Sequence, residues 1–75
     1  MNAKDRKDVK NWIDTLSNIK SKVEELQQDQ QDKCDNLPFS LQCSDFGASF
    51  DDAANALEEA ADAIENAIDE LQEII

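Results

Sequence analysis

The sequence predicts an all-α protein, an antiparallel two-helix hairpin of coiled-coil type that self-associates into a helical bundle. Three observations predict it. Residues 50–75, FDDAANALEEAADAIENAIDELQEII, repeat apolar residues in sevens, with Phe50, Leu57, Ile64 and Leu71 at position a and Ala53, Ala60, Ala67 and Ile74 at d. A 3-4 spacing held over more than three heptads, free of Gly and Pro, is the pattern of a packed helix. Nearer the N-terminus, Val9, Leu16 and Val23 repeat at one heptad position and Trp12, Ile19 and Leu26 at the other, with Ile13 broadening the stripe. Between the two patterns stands a connector containing the chain's one Pro, and matched helix lengths with a seam on each read as a hairpin.

The first helix is expected over about 3–33. Asn2 can cap it, and Asp5 in the first turn suits the positive end of the helix dipole. Polar Gln30 and Lys33 occupy the next seam positions, so the seam fades there. The connector, about 34–44, is rich in apolar residues, and Leu37, Phe39, Leu41 and Phe46 are expected to fold back over the hairpin end. Pro38 holds Leu37 extended and stops the first helix. The second helix is expected over about 45–75, with Ser44 favoured over Ser49 as its cap and Gly47 tolerated in its first turns. Residues 1–75 then form a single domain. At 1.5 Å per residue the two helices are ~45 and ~40 Å long, matched as a hairpin requires. In that hairpin the Ala positions of the second helix accept the bulk of Trp12, Ile19 and Leu26.

Charge is distributed unevenly. The chain carries 18 acidic and 7 basic residues and a net charge of −11. All the basic residues lie in the first 33 positions, where they balance the acids; everything after is acidic or neutral. A surface of that kind repels nucleic acid, phosphates and anionic lipid, and attracts basic partners. The N-terminus, MNAKDRKDVK, lacks the apolar core of a signal peptide, and no apolar run approaches a membrane span. A cytoplasmic location and reduced thiols are the corresponding expectations.

The run Asp35-Asn36-Leu37-Pro38, then Leu41-Gln42, Ser44 and Gly47, followed by Ala56-Leu57-Glu58-Glu59-Ala60, resembles a set of short acidic helical proteins of phages and prophages. The resemblance covers about residues 30–70. It departs at Cys34, where those proteins carry an aromatic, and at Phe46, where they carry a charge. It implies a viral or mobile-element origin, and with it a bacterial host cytoplasm; it brings no activity and no functional residue.

An enzyme is not expected. Acid–base or nucleophilic catalysis needs a tunable group in a pocket, whereas the chain has no His and two helices enclose little. No cofactor and no metal are expected either. Cys34 and Cys43 are two soft ligands where a structural zinc takes four, and they read as apolar loop residues with free thiols. Asp29, Asp32 and Asp35 lack the spacing, the Gly and the final Glu of a calcium loop.

The surface is more informative. Asp51, Asp52, Glu58, Glu59, Asp62, Glu65, Asp69 and Glu73 occupy positions b, c and f, opposite the seam. Solvated helix faces usually interleave Lys with Glu, each pair contributing a few tenths of a kcal/mol. The second helix has no Lys or Arg and accepts like-charge repulsion at Glu58–Asp62 and Asp69–Glu73. The leading expectation is a small binding protein that inhibits a host protein by covering a basic nucleic-acid-binding surface, as a DNA mimic or anti-CRISPR protein does. The alternative is a helical interaction or assembly adaptor whose charge only keeps it dissolved. Self-association is expected through Trp12, Ile13, Ile64, Ile68, Leu71 and Ile75. Apolar surface there exceeds what one neighbouring helix covers, so two hairpins should join at the end carrying both termini, as a homodimer resembling a four-helix bundle.

The thiol reading has a direct check. Cys34→Ser with Cys43→Ser should shift the melting temperature little, and elemental analysis of the native protein should find no stoichiometric zinc. A large drop in melting temperature on adding reductant would show a structural disulfide instead.

Overall fold

The computed structural model describes residues 1–42 and 44–75, apart from the side chain of Phe46, in three helices: α1 (Ala3–Asp35), α2 (Phe39–Gln42) and α3 (Asp45–Gln72). Among the described residues there is no strand, and no helix is long and apolar enough to cross a membrane.

Asn2 begins α1 with an extended backbone, and its side chain accepts from the Asp5 amide at 2.8 Å while the Asp5 carboxylate accepts from the Asn2 amide at 3.5 Å. That reciprocal capping box satisfies donors the helix cannot use itself. The helix runs two residues past the expected 33. Its polar last turns hold themselves by side chains one turn apart: Gln28 donates to Asp32 at 2.9 Å, Gln31 donates to Asp35 at 3.1 Å, and Lys33 pairs with Asp29 at 3.1 Å.

The connector departs from expectation by containing a helix. Pro38 cannot continue α1, but its carbonyl accepts from the amides of Leu41 and Gln42, which winds the single turn of α2. The Gln42 side chain donates back to the carbonyls of Leu37 at 2.8 Å and Asp35 at 3.3 Å, closing the turn onto the end of α1. Ser44 then opens α3 at the expected position, but its hydroxyl donates back to the Leu41 carbonyl and makes no capping hydrogen bond to the helix. Gly47 is buried rather than merely tolerated: a Cβ there would stand 2.5 Å from the carbonyl oxygens of both Leu41 and Gln42. Backbone therefore meets backbone where α2 touches α3, and the apolar side chains of α2 are turned away. Phe39 is 79% exposed and Leu41 is exposed, so neither covers the end of the helix pair; only Leu37 is partly sheltered. The expected role of Phe46 lies outside the described side chains.

The long helices α1 and α3 pack along their length in opposite directions. Val9 and Ile13 meet Ile68 near the termini, Lys20 reaches Glu65, and Cys34 Sγ donates to the Gly47 carbonyl at 3.8 Å at the other end. Among the described residues the buried hydrophobic side chains are Val9, Ile13, Ala54, Ala61 and Ile68, and Leu16, Ile64 and Leu71 pack against the cluster of Val9, Ile13 and Ile68. This corrects the expected seam. On both helices the line facing the neighbour is a with e, not a with d. Trp12, Ile19 and Leu26 are 57, 44 and 49% exposed instead of buried. On α3 the reason is geometric: it is apolar at d and e together, and a single neighbour covers only one flank of so wide a stripe. On α1 the e line holds Ile13, Lys20, Gln27 and Cys34, and this flank brings the Lys20 ammonium to Glu65. Packing on e sets Ala54 and Ala61 at the closest approach and brings Lys20 within 3.0 Å of Glu65. It also removes Ile13 and Ile68 from the surplus surface on which self-association at the terminal end was expected to rest.

Two outcomes follow from this packing. Helix propensity alone would make Gly47→Ala stabilising by about 1 kcal/mol; the carbonyl contacts reverse the sign, so thermal denaturation should show a lower melting temperature. Ile68→Ala should cost about 2–5 kcal/mol, read by chemical denaturation, and a loss below 0.5 kcal/mol would remove Ile68 from the core.

Candidate functional site

The acidic face is built by the length and composition of α3. Its 28 residues extend ~42 Å, and packing on a and e turns b, c and f toward water. Asp51, Asp52, Glu58, Glu59, Asp62, Glu65, Asp69 and Glu73 are all exposed, as is Glu70 beside them. They form a single strip along the helix rather than converging on a point. The strip has no cation of its own, because α3 contains no Lys or Arg.

Glu65 differs from the other seven. It pairs with Lys20 of α1 at 3.0 Å, and Lys20 also pairs with Glu24 at 3.3 Å. Hydrogen bonds to Glu65 first and Glu24 second hold the Lys20 ammonium above the usual lysine range. A raised lysine pKa contributes stability at and below neutral pH that fades only as pH climbs past 10.5. Glu65 is thus a tie between helices, while Asp51, Asp52, Glu58, Glu59, Asp62, Asp69 and Glu73 remain available. Water-facing carboxylates in a row can accept charge-assisted hydrogen bonds from Arg and Lys of another molecule. Among the described residues, no three Cys, Asp or Glu side chains come together as metal ligands would.

The two sides of the helix pair differ in character. On one side, Lys20, Glu24 and Gln27 of α1 line a polar groove with Glu58, Ala61 and Asp62 of α3. On the other, Val9 and Trp12 of α1 line an apolar groove of about 300 Å3 with Leu71 and Ile74 of α3, and Asp5 and Asp8 stand at its rim. Trp12 and Ile74 are both d residues. In an antiparallel pair packed on a and e, the d lines of both helices fall on this same side, so Ile19, Leu26, Ala60 and Ala67 continue the surface. Of the residues expected to drive self-association, Trp12 and Ile75 are exposed, Ile64 and Leu71 are half-buried, and Ile13 and Ile68 are inside. Ile19 and Leu26 were missed because their heptad position read as seam. The signal that could have found them lay on the second helix, whose apolar e line of Ala54, Ala61 and Ile68 offers an alternative seam.

No family model, no curated protein and no solved structure matches this chain.

Proposed function

We propose that the protein is a small acidic binding module whose α3 strip covers a basic, nucleic-acid-binding surface on another protein. The working unit is a helical hairpin that associates with a second copy. One observation carries the reading: a helix ~42 Å long holds its carboxylates in water along its whole length, with only Glu65 engaged by a cation. Stability does not favour this arrangement, since like charges one turn apart repel; a basic counterpart does. The resemblance to phage and prophage proteins suggests an inhibitor acting in a bacterial cytoplasm, with a defence nuclease such as a CRISPR effector as one such target. Nine acids over ~40 Å give one charge per ~4.4 Å, against one per ~1.7 Å in duplex DNA. Imitation of nucleic acid therefore calls for two copies of the strip.

A second reading, an assembly adaptor that docks through its apolar side without catalysis or inhibition, is favoured by the exposed row of Trp12, Ile19 and Leu26. Ionic strength separates the two, because electrostatic docking weakens steeply with salt and apolar docking does not.

The test replaces Glu58, Asp62, Asp69 and Glu73 with Gln, leaving the Lys20–Glu65 tie intact. Circular dichroism should show unchanged helix content. Immobilised native protein should capture a basic protein from a bacterial lysate at 50 mM salt and release it at 500 mM, and duplex DNA should compete for it. The variant should capture at least tenfold less. Equal capture by the folded variant would overturn the acidic-strip reading and favour the apolar side.

A further inference from the structure

The apolar side of the helix pair has two halves of opposite shape. On α1 it carries bulk at heptad spacing: Trp12, Ile19 and Leu26, each between two- and three-fifths exposed. On α3 it carries alanines: Ala60 on the d line and Ala56 and Ala63 on the adjoining g line are exposed, and Ala53 and Ala67 are half-covered. The sequence suggests that these bulky and small rows fill one another within a hairpin. In the folded chain they lie side by side instead, facing the same way, and cannot meet.

We infer that a second copy covers this side, with the bulky row of each α1 seated on the alanine row of the other copy's α3. A two-fold axis parallel to the long axis of the helices produces that arrangement. It superposes α1 of each copy on α3 of the other and keeps the termini of both copies at the same end. The alternative two-fold axis, across the helices, stacks α1 on α1 and α3 on α3. That choice meets bulk with bulk and leaves the alanine rows apart. It also sets one α3, which has no cation, against the other, whereas the parallel axis places α3 against α1, whose seven basic residues nearly offset its eight acids. Lys22 flanks the bulky row and enters none of the ion pairs formed among the described residues; it shares that flank with Asp8 and with Asp29, which pairs with Lys33. Shape selects the parallel axis, and the weaker like-charge repulsion agrees with it.

The area is sufficient. The chain measures 58 × 14 × 12 Å between Cα extremes, so one broad side offers on the order of 800 Å2, the amount each partner contributes to a standard stable interface. The need is also visible, since among the described residues a single chain buries five side chains, two of them alanines; domains this small commonly gain stability from a partner. The contact leaves both α3 strips on the outside of the bundle. It is independent of what those strips bind, and a dimer that captures nothing would end the acidic-strip reading alone.

The interface is tested on the protein alone. Sedimentation at 10–100 μM should give twice the 8.4 kDa chain mass, and Ile19→Glu or Ala63→Glu should each return it to a helical monomer. Both positions face water in the single chain, so neither change should lower helix content in circular dichroism. Disulfide trapping fixes the axis. The Ile13–Ile68 and Cys34–Gly47 contacts set the helices level, which places Ile19 beside residues 62–63. In a Cys34→Ser, Cys43→Ser background, a mixture of Ile19→Cys chains with Ala63→Cys chains should oxidise to the mixed dimer, and Ile19→Cys alone should not cross-link. A native monomer at 100 μM, a dimer unaffected by both Glu substitutions, or efficient cross-linking of Ile19→Cys alone would overturn the arrangement.

Discussion

Everything in this molecule hangs on the closeness with which α3 lies along α1. Ala54 and Ala61 are two of the five buried side chains among the described residues, and they contribute little apolar area of their own. Their value is the absence of bulk, which lets Val9, Ile13 and Ile68 close the seam at one end and Lys20 reach Glu65 in the middle. At the far end Gly47 does the same for α2, whose carbonyls occupy the space a side chain would need. The thin core is thus a line of close approaches, and a methylene added at any of them separates the helices along a length rather than at a point.

That line also decides which surfaces the chain presents. Once a and e face the neighbour, the carboxylates of b, c and f point away from it, and the d rows of both helices share one side. Acidic and apolar surfaces are separated as a direct result. A seam on a and d would have hidden Trp12, Ile19 and Leu26 and left a more uniform exterior. The choice of flank, a rotation of each helix by less than a quarter turn, determines whether the protein looks self-sufficient or half-covered.

The helices themselves were legible in the sequence. The heptad pattern, Asn2 with Asp5, Pro38 and Ser44 locate both long elements and their boundaries to within three residues. What could not be read was rotation about the helix axis. Apolar residues at both d and e leave α3 two possible seams, while on α1 the d line of Trp12, Ile19 and Leu26 is the more apolar one; the observed seam goes with cross-helix contacts such as Lys20–Glu65 that periodicity does not encode. The turn of α2 was missed for a related reason: its hydrogen bonds run from backbone amides to the Pro38 carbonyl, and Pro38 signals only that α1 must stop. The exposed carboxylates of α3 were legible because composition alone fixes them, whereas the engagement of Glu65 was not.

The elongation of the helix pair carries a consequence for solution behaviour. The radius of gyration of the Cα trace is 17.1 Å, against about 11 Å for a compact domain of this length. The particle is a rod, and it tumbles anisotropically, with slow end-over-end motion and fast spin about its long axis. Its Stokes radius is correspondingly that of a heavier sphere, so a single chain elutes early from a sizing column. Amide NH vectors in α1 and α3 lie nearly parallel to the axis and sample the slow motion. Nuclear relaxation in both long helices will therefore report the end-over-end tumbling of the rod.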